Sequence, residues 1–215
     1  ESKRDSKITK MATNMNMNTN TLTQSLSKKQ EVALSKAMSW LLRHGITEKG
    51  LAMASDGFIR LDDMLALHEF AGYTLDHVKQ VVANNEKQRF TMVERITPDT
   101  NQSAWQIRAN QGHSQDVGAR LDDSECMTQT VFPAGTYGYH ATTEDAWKII
   151  QREGLKPMSR KHVHLAKHAD AKAGLRTNRP VILKVDLKPE IIWYVSSNNV
   201  ILTEANIPPN WITHL

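Results

Sequence analysis

Gln106-Ile107-Arg108-Ala109-Asn110-Gln111-Gly112-His113-Ser114 lies at the middle of the 215-residue chain. It begins as a strand, because Trp105 and Ile107 alternate with Gln106 and Arg108 in the two-residue period of a pleated surface. It ends in polar residues around Gly112, where a missing side chain permits close backbone approach to a ligand. Arg108 therefore stands at a strand end beside a donor-rich loop, which makes a candidate anion site. A surface strand with a solvated Arg is the competing reading.

Toward the N-terminus, Arg89-Phe90-Thr91-Met92-Val93 also alternates, and Thr97-Pro98-Asp99-Thr100-Asn101 reads as the turn between two hairpin strands. Helical periods come before the hairpin. Ser27 and Gln30 form a capping-box pattern, and Leu34, Met38, Leu41 and Leu42 recur on one face up to a stop at Gly45. Arg43 and His44 fall in that helix's last turn, where cations also complement the helix dipole. A short strand at Phe58-Ile59 leads to a helix over 61–68, and a third helix over 75–84 follows. Three helices and a hairpin make a winged-helix pattern over 27–115. Its recognition helix carries only Lys79, too little for sequence-specific reading of DNA. Residues 1–26 are polar and repetitive and are expected to be a disordered tail.

Toward the C-terminus, the acidic, polar stretch 116–130 reads as a linker. After it, strands are expected at Gly138–Ala141, Lys161–Ala166, Val181–Asp186, Ile191–Val195 and Asn199–Thr203. Val181–Asp186 reads as a buried strand. A helix over 145–153 ends at Gly154, and a short basic helix runs to about Leu175. The whole is an α+β chain with a second domain at 131–215.

Composition narrows the function. The single cysteine, Cys126, excludes an intrachain disulfide and a zinc thiolate cluster and fits a reducing compartment. No apolar run reaches the ~18 residues of a membrane span, and no signal-peptide core opens the chain, so a cytoplasmic protein is expected. Ten Lys or Arg stand against four Asp or Glu between Gln151 and Glu190, a balance that attracts a nucleic acid or a phosphorylated substrate. His162 and His164, two apart on a strand, share a face. Such a pair suits a metal, but no neighbouring Cys or acid completes a ligand set, and no metal is expected. A hydrogen-bonding imidazole is the other reading.

Arg43, His44, Arg108, His113, His140, Arg160 and His164 all sit in motif-like stretches without an Asp or Glu next to them. General-base chemistry on a hydroxyl usually wants a carboxylate or a tuned His. A phosphate nucleophile is already ionised and needs cationic positioning by Arg forks.

The blocks Trp40-Leu41-Leu42-Arg43-His44, Asp56-Gly57-Phe58, Lys87-Gln88-Arg89-Phe90, Ile107–Ser114, Tyr139-His140-Ala141-Thr142, Arg160–Ala166 and Ile207-Pro208-Pro209 occur in this order. Together they resemble the RNA 2'-phosphotransferases of the Tpt1/KptA group over nearly all of Leu34 to Pro209. The resemblance implies a winged-helix lobe packed on an ADP-ribosyltransferase-like split β-sheet lobe. It implies an enzyme that removes an internal 2'-phosphate from RNA with NAD as co-substrate. In that chemistry the phosphate attacks the nicotinamide ribose, and the ribose hydroxyl then attacks phosphorus. The products are 2'-hydroxyl RNA, nicotinamide and ADP-ribose 1'',2''-cyclic phosphate.

The catalytic set implied is Arg43, His44, Arg108 and Arg160. His140, Thr142, His164 and His113 are the implied NAD-binding positions, and Val200 stands where related folds carry a catalytic acid. Ala141 departs from the family's usual Gly; the extra methyl reads as tolerable, with crowding of the co-substrate and a weaker NAD affinity as the consequence to test. A monomer is expected, with 2'-phosphorylated RNA and NAD as partners. The competing functions are a winged-helix nucleic-acid-binding protein without catalysis, and an ADP-ribosyltransferase that caps a terminal phosphate.

Overall fold

The computed structural model describes residues 25–97, 101–176 and 178–215. Most of the expected tail, and the centre of the turn expected at Thr97–Asn101, lie outside the described residues.

Ser27 opens α1 (Lys28–Trp40) with a reciprocal cap. Its hydroxyl accepts from the Gln30 N–H at 3.4 Å, and the Gln30 side chain accepts from the Ser27 N–H at 3.0 Å. The pair satisfies donors that a helix start leaves open. The helical run ends at Gly45 as expected, although Gly45 is not a left-handed cap. The helix widens over Leu41–Gly45 into a π-turn, and the cap residue Ile46 is still in helical conformation. A Cβ at 45 would lie 2.6 Å from the Trp40 ring, which would have to shift to admit any larger residue. Arg43 and His44 ride on this π-turn, a widening frequent at functional sites.

β1 (Ile59–Arg60), α2 (Leu61–Leu65) and α3 (Leu75–Ala83) follow. α2 stops three residues early, and a 3-10 turn at His68–Phe70 turns Phe70 into the core instead. β2 (Phe90–Thr97) and β3 (Gln102–Ala109) pair antiparallel from Phe90↔Ala109 to Thr97↔Gln102, and β1 adds to the free edge of β3. Leu34, Met38, Leu41, Ile59, Phe70, Val78 and Ile107 are buried together as one core.

α4 (Gln115–Gly118), α5 (Asp123–Cys126) and β4 (Thr128–Thr130) occupy the polar stretch after Ser114. Val117 drops into the first core, while β4 joins the second sheet. β5 (Tyr137–Thr142), α6 (Glu144–Glu153), β6 (Val163–Ala166), β7 (Val181–Asp186), β8 (Trp193–Val195), β9 (Val200–Thr203) and β10 (Ile212–His214) complete the chain. The second sheet has the order β10-β7-β5-β6-β9-β8-β4, and its neighbours are antiparallel.

β7 is not buried on both faces. Val181, Leu183 and Val185 face the second core, while Ile182, Lys184 and Asp186 alternate outward. β6 and β9 are the strands buried throughout. β5 and β6 share a single ladder pair, Tyr139↔Ala166, whereas β5 pairs with β7 from Tyr137 to Thr142 and β6 with β9 from Val163 to Ala166. The sheet therefore opens between β5 and β6.

The basic helix expected before Leu175 does not form. Gly174, at φ +84°, folds this segment back so closely that a Cβ would lie 2.9 Å from the Ala166 Cα. The Leu175 carbonyl accepts from Lys87 Nζ at 3.3 Å rather than from a helical neighbour. The fold is α+β with two sheets. Among the described residues, no helix is long and apolar enough to cross a membrane.

Candidate active site

The middle of the chain clasps the π-turn. Both the Ser114 N–H and the Ser114 hydroxyl donate to the Arg43 carbonyl, at 2.9 and 3.0 Å. Gly112, at φ +94°, lies under the Arg43 side chain, and a Cβ there would sit 3.2 Å from Arg43 Nε. The left-handed backbone and the close approach together account for glycine here. The same loop reaches the second core: Ser114 bridges to Arg160, and the Lys161 N–H donates to the His113 carbonyl at 3.1 Å. Asn110 fixes the loop's base, donating to the Gln88 carbonyl at 2.7 Å.

Arg43 and Arg160 thereby line one cleft of about 750 Å³, together with Gln111, His140, Thr142 and His164. Among the described residues its charged lining is Arg43, Lys87, Arg89, Lys156, Arg160, Arg176 and Arg179 against the single acid Glu153. Arg43 Nε is buried without a hydrogen-bond partner. Burial, then the nearby charges of Arg160 and Arg89, pull the Arg43 guanidinium down to about 10. Arg160 is also lowered, by burial and then by Arg176. Cations held this close, with open donors, form a site that a multiply charged anion would stabilise.

Two imidazoles of the cleft, those of His140 and His164, are pulled toward the neutral form. The His140 pKa is lowered by burial, against a hydrogen bond in which Nδ1 donates to the His164 carbonyl at 3.1 Å if it carries the proton. That bond crosses the gap between β5 and β6 and leaves Nε2 of His140 for a ligand. His164 is pushed well down by burial, then by Arg160, and its Nε2 is buried without a partner at the cleft floor. Thr142 completes this side.

Three expected site residues stand elsewhere. His44 is exposed beyond the cleft lining, lowered by burial and by Arg43 and Arg160, with Asp116 opposing. His113 is buried beneath it, with Nε2 unpartnered and the ring lowered to about 3 by burial, then by Arg43 and His162. Arg108 turns away. Its Nη1 donates to the Asp56 carbonyl at 2.7 Å, and its guanidinium lies 4.8 Å over the Phe58 ring. The four expected catalytic residues are thus not gathered in one lining; two of them are.

The structure brings acids to His162 that no sequence neighbour supplies. Asp123 Oδ2 is 2.8 Å from His162 Nε2, and Glu204 Oε1 is 4.0 Å from it. Ligand atoms of Asp123, His162 and Glu204 lie within 4.8 Å of one another. The Lys161 ammonium already occupies this cluster, 2.9 Å from Asp123 Oδ1 and 3.5 Å from Glu204 Oε1. Burial alone would raise the Asp123 carboxyl, but hydrogen bonds from His162 and Lys161 hold it at about 2.

Ala141 borders the cleft, yet it belongs to a small cluster with Ala166 and Leu175. Cys126 is raised to about 11 by burial, which removes its thiolate at neutral pH. Sequence reasoning missed Gln111, Arg89, Arg176 and Arg179 as cleft residues. Gln111 and Arg89 lay inside quoted motif blocks, whereas Arg176 and Arg179 carried no local signal.

The model of the RNA 2'-phosphotransferase, Tpt1 / KptA family matches residues 29–205. The chain belongs to this family. Among its relatives, the tRNA 2'-phosphotransferase 1 of Danio rerio is 34% identical, covering 82% of this chain and 80% of the relative. The tRNA 2'-phosphotransferase 1 of Homo sapiens is 36% identical, covering 82% and 70% respectively. A probable RNA 2'-phosphotransferase of Trichormus variabilis is 35% identical, covering 87% and 98%. As a member of the RNA 2'-phosphotransferase family, the chain carries both motif arginines that face the cleft, Arg43 and Arg160, inside the matched span.

Proposed function

We propose that this chain is an NAD-dependent RNA 2'-phosphotransferase of the tRNA-splicing type, acting as a monomer in the cytoplasm. The observation that carries the reading is Arg43: a buried guanidinium with an unpartnered Nε, facing Arg160 across a cation-lined cleft. Such a pair fits the oxygens of a phosphate monoester, and Arg forks match them bidentately. The neutral imidazoles of His140 and His164, with Thr142, supply the hydrogen-bonding side suited to ribose hydroxyls.

In this reading residues 27–115 are a winged-helix RNA-binding lobe and 131–215 an ADP-ribosyltransferase-like lobe. Residues 116–130 connect them, contributing to both the first core and the second sheet. NAD supplies the electrophilic ribose carbon, with nicotinamide as leaving group. Arg43 and Arg160 hold the 2'-phosphate dianion, which is ionised at neutral pH and needs no general base. Among the described residues no Asp or Glu other than Glu153 lines the cleft, in keeping with an ionised nucleophile. The same two guanidiniums then face the charge that builds on phosphorus when the ribose hydroxyl attacks. His44 stands at the rim, where it can meet the incoming phosphate. His113, buried beneath Arg43, serves the NAD side only through the loop it anchors. Arg108 acts as a positioning residue that holds the Asp56 turn.

Mixing the protein with NAD and an internally 2'-phosphorylated RNA tests this. Nicotinamide, 2'-hydroxyl RNA and ADP-ribose 1'',2''-cyclic phosphate are the expected products. RNA binding without nicotinamide release would leave a binding protein, and an ADP-ribosylated end product without cyclic phosphate would leave a capping transferase.

A further inference from the structure

An internal 2'-phosphate sits on a strand that continues past it in both directions. A cleft of about 750 Å³ is filled by one drug-sized ligand, so NAD and the 2'-phosphate leave no room there for flanking nucleotides. The strand must leave the cleft beside Arg43 and Arg160. A second concavity of about 560 Å³ adjoins the cleft at that place, and Lys156, Pro157, Met158 and Arg160 border both. Among the described residues its polar lining is Gln115, Lys156, Arg160, Lys161 and Asn206, with Glu204 its one acid. Lys156 pairs with Glu153 at 2.8 Å, and Lys161 is shared with Asp123 and Glu204. Arg160, which stands between the two spaces, has no acceptor for its guanidinium among the described residues.

The ridge itself is unusual. Met158 is 76% exposed with φ +61°, a left-handed conformation that a non-glycine residue adopts at a cost. Gln115 Nε2 donates to the Met158 carbonyl at 2.9 Å and holds the ridge in this form. A flexible, polarizable thioether held out into solvent beside a basic groove makes an adaptable apolar surface for a nucleobase.

We propose that this second groove is an RNA-backbone subsite. It takes the phosphodiesters flanking the 2'-phosphorylated nucleotide, with Met158 against a flanking base and Arg160 shared between backbone and 2'-phosphate. The inference rests on the RNA-directed reading above and adds the path of the strand.

Ala119 and Asn206 are exposed groove residues that lie outside the cleft lining, so they test the groove without touching the cleft. Asn206→Glu, Asn206→Lys and Ala119→Glu would be compared by fluorescence anisotropy with a labelled 2'-phosphorylated hexanucleotide and the matching dinucleotide, without NAD. Both Glu variants are expected to weaken hexanucleotide binding about fivefold at low salt, and Asn206→Lys to strengthen it. Dinucleotide affinity and KM for NAD should stay at wild-type values. Equal hexanucleotide affinity in all variants overturns the subsite, as does an equal effect on the dinucleotide. If binding shifts as expected but wild type releases no nicotinamide from NAD, the groove stands and the catalytic reading falls.

Discussion

The guanidinium of Arg43 lies over the backbone of Gly112, so close that the smallest side chain at 112 would come within 3.2 Å of Arg43 Nε. The contact joins the π-turn at one end of the first core to the loop that leaves β3. Ser114 secures the same pair of segments through two hydrogen bonds to the Arg43 carbonyl. Arg43 is thus presented from a rigid seat rather than from a flexible helix end.

Gly112→Ala should therefore damage stability and activity together. The left-handed φ alone costs ~1 kcal/mol for a Cβ, and the methyl must also displace the guanidinium. Thermal unfolding should shift down by several degrees, and kcat should fall more than that loss of stability explains. Unchanged kcat in a folded variant would show that Arg43 needs no such seat.

Arg43→Lys keeps the charge but removes the fork. One lost electrostatic stabiliser costs about 3 kcal/mol, or roughly a hundredfold in kcat. Arg43→Ala should release no nicotinamide. Arg160→Ala should slow the second step more than the first, so that ADP-ribosylated RNA accumulates in a time course on radiolabelled substrate. A variant yielding neither intermediate nor product would overturn that division of labour.

Arg108 supports the fold rather than the cleft in this structure, through the Asp56 carbonyl and the Phe58 ring. A charge-assisted hydrogen bond is worth about 1.5–3 kcal/mol, so Arg108→Ala should destabilise by that order. Its melting temperature should drop more than that of Arg160→Ala. The reverse order would place Arg108 in the site itself.

Acid stability follows from the neutral histidines. The folded-state pKa of His113 is lowered to about 3, and that of His164 is lowered well below its ordinary value. Between the unfolded value of ~6.5 and the folded value the unfolded chain binds more protons, so stability falls as pH drops through this window. Each such histidine contributes up to ~1.4 kcal/mol per pH unit there. Asp123, depressed to about 2, adds a loss only lower, as pH falls from ~3.8 toward that value. Unfolding free energy measured from pH 7 to 4 should decline, and His113→Gln should flatten the slope. A flat profile in the wild-type protein would contradict the buried neutral assignment.

Ala141→Gly tests the departure from the family's usual residue. The side chain packs with Ala166 and Leu175, so its removal should cost about 0.5–1 kcal/mol of stability. KM for NAD should change less than twofold. A large drop in that KM would restore the view that the methyl crowds the co-substrate.

Local order was legible in the chain before any fold was known. Ser27 with Gln30 marked a helix start, the apolar run at Val181–Asp186 marked a strand though not which of its faces is buried, and the 106–114 stretch marked a strand running into a loop. These signals act between residues a few positions apart, where backbone geometry and side-chain period decide the outcome. The ordered motif blocks also carried the family, because they survive as local strings. What the strings could not carry is which side chains share a space. Arg43 and Ser114 are 71 positions apart, and Arg176 and Arg179 enter the cleft through a segment whose helical pattern gave way to packing on Ala166. Asp123 reaches His162 from 39 positions away, making an acid–imidazole contact where the sequence shows only basic neighbours. Arg108 and Arg160 look equivalent as motif arginines, yet one is turned to a backbone carbonyl and the other is left open. Charges and hydrogen bonds act through distance in space, so only the tertiary structure decided which of these cations await an anion.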